Sequence, residues 1–168
     1  MGHSQQGVRH KDYTVVPRTL VFALHGDRIL LLKGAPDKRL WANLYNGIGG
    51  HVRPGEDAAT AARREFREET GLELEGLWLC GTILIDTGRK PGVLLFVFRG
   101  QVKEDGEIRA SSEGQPEWIP VDDLYTRPLV EDLYILLPQV LSWKPGDPVF
   151  HALYTYDDAG RLCIRMAG

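Results

Sequence analysis

The chain is expected to fold as an α/β domain: a mixed β-sheet with helices covering both of its faces. Two observations predict it. Short β-branched and leucine-rich runs stand both before and after one strongly helical stretch, residues 57–70, and a second apolar helical pattern follows late, near residues 130–143. A length of 168 residues suits one domain with a single sizeable core, and no internal repeat or low-complexity run divides it.

Residues 1–12 are polar and aperiodic and read as a loose tail, with His3 and His10 solvated, leaving 13–168 as the folded domain. Tyr13 to Leu24 reads as a first strand, with an edge or bulge expected at Pro17 because proline cannot donate to a ladder. His25-Gly26-Asp27 is a hairpin turn leading into a buried strand, Arg28 to Lys33. Gly34 to Leu44 reads as a loop over a site, and Tyr45 to Val52 brings the chain to a double glycine. In the helical stretch Ala58, Ala59, Ala61 and Ala62 are strong helix formers, Asp57 suits the N-cap, and Gly71 suits a left-handed C-cap. Leu77 to Ile85 and Val93 to Val102 are strands joined by a turn. A polar connection, Glu104 to Gln115, precedes a short strand from Glu117 to Pro120 and a turn at Val121 to Leu124. The second helix is expected from Val130 to Trp143, kinked or divided by Pro138. Val149 to Tyr156 and Leu162 to Met166 form a closing hairpin.

The composition is that of an ordinary globular protein, 43% hydrophobic and 26% charged. A net charge of −3 argues against binding a nucleic-acid polymer, and a polyphosphate ligand would need cations to bridge it to this chain. Cys80 and Cys163 lack metal-ligand spacing and read as small hydrophobes. No apolar run reaches the length of a membrane span and no signal-peptide pattern opens the chain, so the expected location is the cytoplasm.

The stretch that carries chemistry is GGHVRPGEDAATAARREFREETGL, Gly49 to Leu72. On a helix Glu65, Glu68 and Glu69 are i, i+3 and i+4, so three carboxylates share one face. Their mutual repulsion calls for a hard divalent cation, and Mg²⁺ takes oxygen ligands that it shares with substrate phosphates. Gly49-Gly50 lets the backbone approach and offers a carbonyl, while Glu56 can reach the same pocket or hold Arg64. The plain alternative is a solvated acidic face paired with Arg63, Arg64 and Arg67. The complete spacing of Gly50, Glu56, Arg64, Glu65, Glu68, Glu69 and Gly71 favours the metal, since chance would supply it about once in 10⁸ starting positions.

That spacing resembles the Nudix box, with Phe66 standing where the family usually has an aliphatic residue. The resemblance implies an α/β/α sandwich and a hydrolase in which water attacks phosphorus of a nucleoside polyphosphate. By position in the motif Glu65 looks like the general base, with Arg64 orienting a carboxylate. Glu68, Glu69 and the Gly49 carbonyl look like ligands of Mg²⁺, or of Mn²⁺ in its place. Members differ in how adjacent glutamates divide these roles, so Glu65 also counts as a ligand and Glu68 as a catalytic candidate. Glu113 matches a place where many relatives carry one more metal-binding or base glutamate; a solvated loop carboxylate is its other reading.

The chain is also similar to the family branch that hydrolyses oxidised purine nucleoside triphosphates. Tyr45-Asn46-Gly47-Ile48-Gly49-Gly50, Glu113-Gly114-Gln115-Pro116-Glu117-Trp118 and Val130-Glu131-Asp132-Leu133-Tyr134 carry that likeness. It implies that Asn46, Glu131, Asp132 and Thr19 contact the base and that His51, where relatives often carry lysine, touches phosphate or faces solvent. Arg53 invites the same two readings. Asn46 capping a turn and Glu131-Asp132 opening the second helix are the structural alternatives. Leu129 stands where a relative has a stacking tryptophan, and the loop Gly34 to Leu44 is longer. The implied partner is a small nucleotide, with no nucleic-acid polymer and no membrane. An ADP-ribose or other nucleoside-diphosphate-linked pyrophosphatase keeps the same box, and a nucleotide sensor on this fold is the competing non-enzyme.

Overall fold

A computed structural model describes residues 6–9, 11–103 and 106–167, so His3, His10 and part of the expected tail lie outside the described residues. The elements follow the order β1 (Val15–His25), β2 (Arg28–Gly34), β3 (Tyr45–Asn46), α1 (Ala58–Thr70), β4 (Gly76–Ile85), β5 (Gly92–Gln101), β6 (Gly114–Pro120), α2 (Leu133–Ser142), β7 (Phe150–Tyr156) and β8 (Leu162–Met166). A short 3-10 helix, Val121–Thr126, stands where a turn is expected.

Among the described residues, eight strands join one mixed sheet in the order β3-β2-β1-β5-β4-β7-β8, with β6 paired to the other edge of β2. The pairs β1–β5 and β4–β7 are parallel and the rest antiparallel. Alternation along β1 splits the core in two. Leu20 and Phe22 point into the layer that holds Leu133, Leu136, Leu137 and Val140 of α2. Val21 and Ala23 point the other way, against Ala62 and Phe66 of α1. The sheet therefore carries one helix on each face, as the patterns predict.

Of the edge or bulge expected at Pro17, the bulge is absent: β1 stays in register with β5 from Val15↔Gly92 through Pro17↔Leu94 to Leu24↔Gln101. Alternate residues of β1 face the segment 48–52: Thr19 N–H bonds the Gly50 carbonyl at 2.8 Å, and the Pro17 carbonyl accepts from Val52 at 3.1 Å. The proline nitrogen thus faces that segment rather than β5, and no β5 bond is forfeited.

β1 pairs with β2 only over Ala23–His25, so the two strands fork. The chain after β3 fills the fork, bridging Val21 through Ile48 and Arg18 through His51. The segment from Tyr45 to Val52 accordingly forms a two-residue strand followed by bridges. It also sets the double glycine in the middle of the sheet, directly beside α1.

Helix α2 starts later than its apolar pattern suggests. Pro128 and Val130 bond across to Tyr45, which holds residues 128–130 extended. Pro138 sits inside α2 without dividing it. It lies on the exposed side, and the carbonyl it leaves without a donor belongs to exposed Tyr134, where water can satisfy it. Arg99 of β5 closes the far end by donating to the carbonyls of Val140, Leu141 and Trp143. Among the described residues no helix is long and apolar enough to cross a membrane.

Candidate functional site

Helix α1 is fixed at both ends. Asp57 accepts from the Thr60 N–H at 2.9 Å and from its hydroxyl at 2.7 Å, and Gly71, at φ 76°, donates back to the Arg67 carbonyl. Ala61, Ala62 and Phe66 press into the sheet. That rotation leaves Arg64, Glu65, Glu68 and Glu69 along the side facing the double glycine.

Arg64 is the hub of this side. Its guanidinium forks onto Glu56 at 2.6 and 2.9 Å, bonds Glu65 at 2.6 Å and Glu68 at 3.2 Å, and donates to the His51 carbonyl at 3.0 Å. The bond from Arg64 holds the Glu56 carboxyl at about 2, well below the usual range. The bidentate clamp makes Glu56 a support for Arg64. Glu65 lies flat on the backbone of Gly50, where a β-carbon would fall 2.6 Å from its carboxyl carbon. Only glycine leaves room for that carboxylate.

Glu69 is the outlier. It is 6% exposed, and its Oε2 is buried with no hydrogen-bond partner among the described residues. Burial, reinforced by the charges of Glu65 and Glu113, pushes its pKa up to about 8. Glu113 faces the same space and is held by Lys38 of the loop 34–44, Nζ to Oε2 2.5 Å. Glu68, about half exposed, adds a contact to Arg53 at 3.7 Å.

Among the described residues no three His, Cys, Asp or Glu side chains already converge as a metal cluster. The cause is visible in the pairings, since Glu65, Glu68 and Glu113 are each turned toward a protein cation. The donor set nevertheless fits a hard divalent ion. It offers only oxygens, one of them an orphaned buried carboxylate oxygen, beside a Gly49 carbonyl that takes no backbone bond among the described residues.

A cavity of about 640 Å³ runs from these carboxylates toward the end of the sheet where β7 and β8 close it. That volume suits a nucleotide-sized ligand. Thr19, Asn46, His51, Glu131 and Asp132 all line it, together with Gly49, Glu65, Glu69 and Glu113. Of the metal and base candidates read from the sequence, Glu68 lies outside the lining, on the exposed side of Arg64.

Thr19, whose N–H bonds the Gly50 carbonyl, is 2% exposed, and its hydroxyl has no hydrogen-bond partner among the described residues. Asn46 does cap its own turn, accepting from Gly47 N–H at 2.7 Å, which fixes the amide and leaves its NH₂ to donate. Asp132 stands at the N-cap position of α2 but makes no side-chain cap bond. Its carboxyl lies beside the Tyr154 phenol instead, and burial raises its pKa. The helix-opening reading of Asp132 is therefore not what its side chain does. His51 accepts from the Arg18 guanidinium at 3.2 Å, at the exposed mouth.

Sequence reasoning missed Arg18, Lys38 and Trp41, and Tyr154, Tyr156 and Leu162 of the closing hairpin, all of which line the cavity. Tyr154 reaches it only because β7 pairs in parallel with β4, a contact that no local pattern announces. Lys38 and Trp41 lie in the loop already singled out as longer, and that length was the available signal.

The family model described as NUDIX domain matches residues 15–140. The oxidized purine nucleoside triphosphate hydrolase of Danio rerio is 33% identical over 127 residues, covering 75% of this chain and 80% of that protein. The crystal structure of the mutator MutT protein from Bacillus halodurans superposes with a TM-score of 0.72 at 22% identity, covering 90% of this chain and 97% of that one. The NUDIX domain of Shewanella oneidensis NrtR, solved in complex with ADP ribose, gives a TM-score of 0.63 at 15% identity over 84% of this chain and 97% of its own. At those identities the two solved structures attest the fold alone.

Proposed function

The chain belongs to the Nudix family and is a hydrolase, and on that premise we propose that it cleaves an oxidised purine nucleoside triphosphate to the monophosphate and pyrophosphate. The observation that carries this reading is one cavity lined both by the orphaned carboxylate of Glu69 and by the Asn46 amide with the partly buried Asp132 carboxyl. The first suits a metal-bound polyphosphate and the second a hydrogen-bonded base.

Gly49, Glu68, Glu69 and Glu113 would hold Mg²⁺, with Glu65 beside them, and the bound ion supplies charge neutralisation at the phosphate oxygens. Glu65 takes the proton from the attacking water as a new oxygen–phosphorus bond forms and the bond to the departing pyrophosphate breaks. Arg64 keeps Glu65 oriented, and Glu56 keeps Arg64 in place. At the far end Asn46 donates to the base while Asp132, steadied by Tyr154, presents its carboxyl. A site that hydrogen-bonds its base discriminates more sharply than an apolar slot. Residues 13–168 act as one unit in this reading, because the closing hairpin lines the cavity. A cytoplasmic location is part of it, supported by two free cysteines.

The test is kcat/KM with Mg²⁺ for 8-oxo-dGTP against dGTP and ADP-ribose, with the products identified. Preference for the oxidised triphosphate supports the whole reading. Preference for ADP-ribose keeps the carboxylate end and discards the base assignment, and metal binding without turnover on any of them would point to a sensor.

A further inference from the structure

Every candidate ligand on the acidic face except Glu69 is held by a cation of the protein itself. Glu65 and Glu68 are held by Arg64, which belongs to α1 and is pinned by Glu56. Glu113 is different, because its partner comes from the loop 34–44, across a separation of 75 residues in sequence. Lys38 is about 29% exposed and reaches the cavity wall, where its charge opposes those that Glu65 and Glu113 impose on Glu69.

The loop that carries Lys38 is shaped rather than slack. Asn43 N–H bonds the Gly34 carbonyl at 3.0 Å, Leu44 N–H bonds Trp41 at 3.1 Å, and Lys38 N–H bonds Ala35 at 3.1 Å. Ala35 N–H in turn donates to the backbone carbonyl of Glu113 at 3.1 Å, so loop and glutamate are tied by main chain as well as side chain. Trp41 and Asn43 adopt φ of 60°, in the left-handed region that asparagine visits readily and tryptophan rarely.

We propose that Lys38 is a phosphate-positioning residue that, in the empty enzyme, doubles as the counter-cation of the metal site. An ammonium ion and a divalent cation cannot share Glu113 without repelling each other. When Glu113 and Glu69 bind metal, Lys38 gives up its carboxylate while its backbone bonds keep it at the cavity wall. The group left there is a flexible, compact positive charge, suited to a phosphate oxygen. Metal therefore competes with Lys38 in the empty protein, and bound polyphosphate relieves that competition. The inference rests on the metal reading of the acidic face.

Mn²⁺ binding, followed by the electron paramagnetic resonance of the free ion, tests it without relying on turnover. Lys38→Met is expected to bind Mn²⁺ about 3–10 times more tightly than wild type, since the competing ammonium is gone. In a Glu113→Gln background the same substitution is expected to change Mn²⁺ affinity by less than twofold. In steady state Lys38→Met is expected to raise KM for the triphosphate several-fold while kcat moves less. Saturable binding of equal affinity in wild type and Lys38→Met would overturn the Lys38 proposal and leave the metal reading standing. No saturable binding to either protein would overturn the metal reading itself.

Discussion

Burial makes the charged form of Glu69 unfavourable in the folded protein. Its folded carboxyl stays protonated up to about pH 8, whereas an unfolded one has released its proton above about 4.5. The folded state therefore binds more protons across that window, and stability must fall as pH rises through it. Metal-free protein in EDTA is expected to show a lower Tm at pH 8.5 than at pH 5.5, with Glu69→Gln removing most of the difference. Glu56 contributes nothing to that slope, because its stabilisation is complete above its ordinary range and is lost only as pH falls toward 2. A flat wild-type profile would mean that Glu69 finds a charge partner in solution. At the other end of the cavity, Asn46→Ala is expected to flatten discrimination between 8-oxo-dGTP and dGTP by about tenfold while kcat for the better substrate changes less. Unchanged discrimination would remove Asn46 from the base site.

At the scale of elements, the site depends on how closely α1 approaches the chain that fills the fork between β1 and β2. Gly50 sets that distance. A methyl group there would fall within 2.8 Å of the carboxyl carbon and both oxygens of Glu65. Gly50→Ala is therefore expected to displace Glu65 and cut kcat at least tenfold. Its urea midpoint should change far less than that of Phe66→Ala, which leaves a cavity under the helix and costs about 3–5 kcal/mol. Full activity in Gly50→Ala would separate Glu65 from the reaction. The box spacing makes this contact legible, since a double glycine followed at fixed distance by a glutamate-rich helix has a physical meaning. What it does not reveal is the fork itself, which exists because β1 changes partners along its length.

The whole molecule contributes what no single element holds. The matched family region ends at residue 140, yet the cavity is closed by Tyr154, Tyr156 and Leu162 beyond it. Tyr154 is almost fully buried beside Asp132, so the base contact proposed for Asp132 would draw on a strand outside that region. Tyr154→Phe is expected to raise KM several-fold and shift the pH dependence of KM, with kcat at saturation little changed. Equal changes in kcat and KM, or neither, would make Tyr154 a core residue only. Alternating apolar residues on β1 and the helical periods of α1 and α2 place a mixed sheet between two helices, and those patterns lie in the sequence itself. The carboxylates, Arg64 and the glycines were also legible there, because helical spacing and backbone approach are local constraints. The tertiary structure alone decided which cation holds which carboxylate, that Asp132 turns to Tyr154 instead of capping α2, and that Lys38 reaches Glu113. Those outcomes depend on contacts between segments far apart in the chain, formed only when parallel strands and a shaped loop bring them together.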